Sequence, residues 1–197
     1  MIILGSSSPR RREILSHYNI PFSVAPPPFD ERSFVFEGDP EVYVQRLAEE
    51  KGASIAPEFD QSEIILTADT VVVKDGQIFS KPQNLEEAFS MLFELAGKTH
   101  VVHSGISVRR GPTVYSAVES TEVTFCPLTE AQIRKFHTAI DPTDKAGAYA
   151  IQGSGGLLIK KIHGNYDNVM GLPMQTVAKL LKNVGIDLWD YVSSSSL

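Results

Sequence analysis

The sequence predicts an α/β protein built on a mixed, twisted sheet with flanking helices. Three observations carry this: apolar β segments alternate with segments of helical period, the two longest β segments lie close enough to pair antiparallel, and most helical segments open on a capping residue.

Residues 1–4 read as a short apolar strand, followed by a small-residue turn over 5–8 and a helix carrying Ile14, Leu15 and Tyr18. Beyond the turn-rich Pro26-Pro27-Pro28, Asp39 and Pro40 supply an N-cap and a first helical position for a second helix running to about Ala56. A β run over 64–73 turns at Asp75-Gly76 and returns through Gln77-Ile78-Phe79 as a hairpin. Asn84 and Glu87 form a capping box for a third helix that buries Leu85, Ala88, Phe89, Leu92, Leu95 and Ala96 and stops at Gly97. Residues 99–109 and 113–125 form the two long strands, joined at Gly111-Pro112, and Thr129 with Gln132 opens a further capped helix. The tract 147–162 reads as two strands around the glycines at 153–156, and a last helix spans about 173–183.

With 197 residues and 42% hydrophobic content, the chain can bury a core without disulfides or structural metal, as a single domain over 1–197 with a frayed serine-rich tail at 193–197. A net charge of −6 argues against the broad basic field of a nucleic-acid binder, so a polyanionic ligand has to be met by local cations. The single cysteine, Cys126, excludes an internal disulfide and a multi-cysteine zinc site, and is expected to pack in the core. No apolar run suits a signal peptide or a membrane span, so a cytoplasmic location is expected.

The most informative residue is Asp69, an acid inside the run Ile64 to Val73. A carboxylate kept in a buried strand costs several kcal/mol or more unless a cation, a metal or a proton-transfer role compensates it. Lys81, across the hairpin, is one candidate partner. Lys51 is a second cation of interest: it continues the stripe Val44, Leu47, Ala48 toward Ile55, and either snorkels to the surface or aims into a polar pocket. Ser6-Ser7-Ser8-Pro9-Arg10-Arg11-Arg12 sits where a strand feeds a helix, with Ser8 as N-cap. Its free amides favour an anion, while three arginines in the first turn oppose the dipole unless something negative sits nearby. Arg11 shares a face with Ile14, Leu15 and Tyr18 and points inward; Arg12 is a solvated residue. Asp30 and Glu31 with Asp69 would make an oxygen set of the kind Mg²⁺ or Mn²⁺ uses beside substrate phosphates. Asp144, Lys145 and Gln152 flank a β segment, and a glutamine can present a donor and an acceptor to a base edge. His100 and His103, three apart on a strand, face opposite sides and do not make a metal site. The glycines at 153–156 lack the context of a P-loop.

The segments LGSSSPRRREIL, DER at 30–32, EEK ending at Lys51, TADTVV, Lys81-Pro82, DKAGAYAIQG and GNYDNVMGLP occur in order within residues 2–185 and closely resemble the Maf family of nucleoside triphosphate pyrophosphatases. The resemblance implies a Maf fold, similar to that of the inosine triphosphate pyrophosphatases, with two lobes around a deep cleft. It implies hydrolysis between the α and β phosphates, giving a monophosphate and pyrophosphate, with a divalent cation (Mg²⁺ or Mn²⁺). Carried over residue by residue, Asp69 matches the proton acceptor, and Ser6, Arg11, Glu31, Lys51 and Lys81 match positions lining the phosphate and metal site, with Glu31 and Asp69 as metal ligands. Asp144 and Lys145 belong to the same cleft. Arg10, Thr70 and Gln152 match the positions that distinguish subfamilies and resemble the branch acting on dTTP and UTP, modified pyrimidine nucleotides being left open, rather than on 7-methyl-GTP. Gly5 stands where the family commonly has Ala, a departure expected only to loosen the loop.

A triphosphate brings about four negative charges, so an acidic protein has to focus its cations and a helix N-terminus on it, together with a metal. Whether Asp69 takes the proton of the attacking water or holds the ion stays open. The expected partner is a small-molecule nucleoside triphosphate, with neither nucleic acid nor membrane and with a homodimer left open. A non-catalytic nucleotide sensor regulating cell division is the alternative reading.

Overall fold

The computed structural model of the chain describes residues 1–29 and 34–192. Its strands are β1 (Ile2–Gly5), β2 (Phe22–Val24), β3 (Ile64–Lys74), β4 (Gln77–Phe79), β5 (Thr99–Arg110), β6 (Thr113–Phe125) and β7 (Ile159–His163). They form one sheet in the order β2-β1-β3-β5-β6-β7, with β4 paired to β3. The helices are α1 (Pro9–Ser16), α2 (Pro40–Ile55), α3 (Leu85–Leu95), α4 (Glu130–His137), α5 (Tyr166–Met170) and α6 (Met174–Lys182). The mixed α/β architecture read from the sequence is the one observed. The chain forms two compact units, one of Met1–Asp69, Ser104–Glu119 and Gly171–Leu197, the other of Thr70–His103 and Ser120–Met170.

In the first unit β1 lies parallel to both β2 and β3, in a register running from Ile2 opposite Ile64 to Gly5 opposite Thr67. Every residue of β1 and of β3 from Ile64 to Asp69 is buried, as expected of parallel strands covered on both faces. Helix α2 starts where Asp39 accepts the amides of Glu41 and Val42, with Pro40 at the first position, and presents Val44, Leu47, Ala48, Lys51, Gly52 and Ile55 to the interior. It comes down onto bare backbone at Gly105, where a Cβ would land on the Val44 carbonyl.

In the second unit β3 and β4 form the expected hairpin, from Lys74 opposite Gln77 to Val72 opposite Phe79. Asp75 (φ 52°) and Gly76 (φ 77°) both take the left-handed conformation that a two-residue hairpin turn requires. Its core gathers Phe79, Leu92, Leu95, Phe125, Ile133 and Tyr149.

Several local expectations are corrected. Residues 147–162 hold one strand, β7, not two: Gly147 and Ala148 take positive φ, which breaks extended backbone, and Gly153–Leu157 is a 3-10 turn. Asn84 accepts the Glu87 amide at 2.9 Å, but the Glu87 carboxylate takes the amide of Gln83 rather than that of Asn84, so the reciprocal box does not close. The buried stripe of α3 begins one turn later than expected, leaving Leu85 exposed at the first helical position and Phe89 and Ala96 half-buried. Helix α1 ends at Ser16, so Tyr18 lies beyond it, half-buried, and Cys126 is half-buried rather than in the core. Helix α5 was not anticipated. Residues 193–197 lie outside the described residues.

Candidate active site

In the first unit the parallel register sets the loop of Ser6, Ser7 and Ser8 beside Ala68 and Asp69, at the carboxyl end of β1. This is the edge where open α/β sheets bind ligands. Ser6 is buried, and its hydroxyl accepts the Ser8 amide at 3.1 Å, shaping the turn into α1. Ser8 takes the N-cap position with Pro9 behind it, but its side chain makes no capping bond, and no acid sits in the first turn. The positive end of the α1 dipole at this loop therefore has no first-turn carboxylate of its own helix to meet it.

Arg11 points inward, as its spacing predicts. Its Nε donates to the Gly171 carbonyl and its Nη1 to the Ala68 carbonyl, both at 2.8 Å. The guanidinium thus ties α1 to the residue preceding Asp69. Arg10 is half-buried and Arg12 exposed.

Asp69 finds its cation in Lys51. Lys51 Nζ donates to Asp69 Oδ1 at 2.5 Å, and each residue is only 6% exposed. This resolves the two readings of Lys51 in favour of the inward one. The β3–β4 ladder ends at Val72 opposite Phe79, short of Lys81, which is exposed. Beside the pair lies Thr67, two residues before Asp69 on the same face of β3, whose hydroxyl donates to the Ala48 carbonyl of α2 at 2.6 Å. Sequence reasoning did not single out Thr67; a period-2 reading from Asp69 back along the strand would have placed it facing the same helix.

The second unit carries the remaining predicted residues. Thr70 is half-buried on β3. Asp144 and Lys145 pair with each other, and Lys145 Nζ also donates to the Asp141 carbonyl at 2.7 Å. The Asp141 carboxylate takes the hydroxyl and amide of Thr143, which hold its pKa below the usual carboxylate value. Gln152 is half-buried ahead of the 3-10 turn, with its carbonyl accepting the Gly155 amide at 3.1 Å and its side chain making no bond that caps the turn. Gly155 itself is a necessity, since a Cβ there would collide with the Ala150 carbonyl.

Sequence reasoning also passed over Asn168, which is fully buried and donates to the Val102 carbonyl (2.9 Å) and to Thr121 Oγ1 (3.0 Å), bracing α5. His100 and His103 are held separately, His100 Nε2 by the Tyr149 hydroxyl and His103 Nδ1 by that of Ser120, both at 2.8 Å. Burial pushes the His100 pKa down to about 4, and burial also lowers that of His137 against the opposing bond to the Ala148 carbonyl.

Asp30 and Glu31 lie outside the described residues. Among the described residues no three His, Cys, Asp or Glu side chains gather as a metal cage, and no helix is long and apolar enough to cross a membrane.

Comparison with known proteins bears on what such an arrangement serves. Over 191 residues, 97% of each chain, the sequence is 42% identical to a dTTP/UTP pyrophosphatase of Chlamydia caviae. Over 189 residues, 95% of this chain and 98% of the other, it is 44% identical to a dTTP/UTP pyrophosphatase of Clostridium perfringens. A solved HAM1 protein from Coxiella burnetii overlays 63% of this chain and 72% of its own at 15% identity and a TM-score of 0.42, too distant a likeness to bear on fold or function. The family model for Maf-like proteins matches residues 1–184, and the chain belongs to that family.

Proposed function

We propose that this protein is a nucleoside triphosphate pyrophosphatase that hydrolyses dTTP and UTP to the monophosphate and pyrophosphate. One observation supports it above others: a buried carboxylate, Asp69, held by a buried lysine, at the sheet edge where the serine loop turns into the positive end of the α1 dipole. The names of the relatives supply the substrates. They do not favour the alternative of a non-catalytic sensor.

In this reading the α1 amides, Ser6 and Arg10 receive phosphate oxygens, and Arg11 holds the loop and strand together around them. Lys51 fixes the Asp69 carboxylate and presents positive charge to the substrate. Asp69 accepts the proton of the attacking water or holds the metal that accompanies the phosphates. Lys81, Asp144 and Lys145 complete the contacts to the phosphate tail, while Thr70 and Gln152 read the pyrimidine. Side-chain hydrogen bonds of this kind reject a purine by leaving buried polar groups unpaired.

A divalent cation bound with the phosphates, Mg²⁺ or Mn²⁺, would neutralise their oxygens and lower the pKa of the attacking water. Such ions keep several waters and need only one or two protein carboxylates, so a single buried acid such as Asp69, joined by Glu31, fits that donor set without an all-protein cage. A cytoplasmic enzyme, alone or as a homodimer, accords with this chemistry.

The test is a pyrophosphate-release screen over natural and modified nucleotides with Mg²⁺ and Mn²⁺. Wild-type protein is expected to prefer dTTP and UTP, and Asp69→Asn to lose turnover while keeping the wild-type circular dichroism spectrum. Near-normal turnover in that variant would overturn the assignment.

A further inference from the structure

The Lys51–Asp69 pair does not set its own geometry. It joins a helix to a strand, and its length depends on how deeply and in what register α2 lies against β3. Near the pair one side chain governs both. Thr67 is wholly buried, lies on the same face of β3 as Asp69, and bonds Ala48, three residues before Lys51 on α2. That carbonyl can also accept the helical bond from Gly52, so the hydroxyl uses its second lone pair.

Two glycines keep the slot for Thr67 open. A Cβ on Gly52 would come 3.2 Å from Thr67 Oγ1, and a Cβ on Gly5 would come 2.5 Å from Thr67 Cγ2. The hydroxyl thus faces the helix and the methyl covers β1, leaving little freedom to rotate. A β-branched residue is stiff at χ1, which suits it to act as a spacer.

We propose that Thr67 is a positioning residue for the reaction, whose hydroxyl locks α2 onto β3 so that Lys51 holds the Asp69 carboxylate in its working orientation. The proposal rests on the pyrophosphatase reading above. Thr67 has no exposed surface and touches no substrate; it acts through the pair. Misplacing a reacting group by about 1 Å costs up to roughly a hundredfold in rate, and the hydroxyl-to-Ala48 bond is the contact that prevents such a slip.

The experiment compares Thr67→Val, Thr67→Ser and Gly52→Ala with wild type, measuring kcat and KM for dTTP with Mg²⁺ beside thermal unfolding. Valine keeps the shape and loses the bond, so kcat is expected to fall roughly tenfold to a hundredfold with KM within about twofold. Serine keeps the bond and is expected to restore most of kcat. Gly52→Ala presses the helix against the Thr67 hydroxyl while adding a better helix former, so kcat is expected to fall without a drop in unfolding temperature. A merely structural role predicts instead that activity tracks stability in all three. In a Lys51→Met background the Val substitution is expected to cost far less than in wild type, because the pair it positions is gone. If Thr67→Val does not fold, Gly52→Ala decides the question alone. Wild-type kcat in Thr67→Val, or in Gly52→Ala, would overturn this inference while leaving the activity standing. Absence of pyrophosphate release from the wild-type protein would overturn the functional reading itself.

Discussion

Replacing Lys51 by Met tests the buried pair directly. Methionine matches the length of the lysine stem and can pack along the stripe of Val44, Leu47 and Ala48, so little apolar contact is lost; what is lost is the ammonium that donates to Asp69. The two side chains are 8% and 9% exposed, so solvent cannot replace the missing partner. Breaking such a pair from one side costs about 3–5 kcal/mol. At roughly 2–4 °C per kcal/mol for a chain of this size, the unfolding midpoint is expected to drop by roughly 6–20 °C at neutral pH. The assay is urea and thermal unfolding followed by circular dichroism. Adding Asp69→Leu removes the orphaned charge as well, and the double variant is expected to recover to within about 1 kcal/mol of wild type while remaining inactive. A loss below about 1 kcal/mol in the single variant, the range of exposed pairs, would refute the reasoning. So would a double variant no more stable than the single one.

The second unit should carry a pH dependence of stability through His100. Its folded pKa of about 4 lies below the unfolded 6.5, so the unfolded state binds more protons between these values; stability is full above pH 6.5 and is lost as pH falls toward 4, by about 3 kcal/mol. His100→Phe should flatten that part of the urea-unfolding profile, and an NMR titration of His100 midway near 6.5 would contradict it. Gly5→Ala should destabilise by about 1–3 kcal/mol, because the new methyl would meet Thr67 Cγ2 at 2.5 Å and Ile55 Cδ1 at 2.8 Å; an unchanged unfolding midpoint would show that these side chains yield freely. Gln152→Ala should narrow the preference for dTTP and UTP over purine triphosphates in the pyrophosphate-release screen, and an unchanged selectivity profile would remove Gln152 from base reading.

Much of the fold was legible because its signals are local. Asp39-Pro40 and Thr129 with Gln132 are capping chemistries that need only the next few residues, and both helices begin where those residues put them. The Asp75-Gly76 turn is likewise determined by two residues able to take positive φ. Residues 147–162 failed for the complementary reason. Tyr149, Ala150 and Ile151 are apolar enough to read as a strand, but Ala148 is held at φ 59° and Gly155 is pressed on the Ala150 carbonyl, constraints that come from packing. Short-range pattern cannot reveal a bend imposed from outside the segment.

The site divides along the same line. Asp69 was legible because a charge inside an apolar run is an anomaly whose cost can be stated without knowing the fold. Its partner was not. The lysine that answers Asp69 comes from a helix 18 residues earlier, delivered by the way α2 seats on β3, which a pattern along the strand does not carry. The same seating explains why Gly5 was misjudged as a loosened loop: it is the buried last residue of β1, and its missing side chain is what leaves room for Thr67. A glycine read along the chain suggests freedom. Read across the sheet, this one is a close contact, and the close contact is what allows a threonine to hold a helix at the distance where a lysine and an aspartate meet.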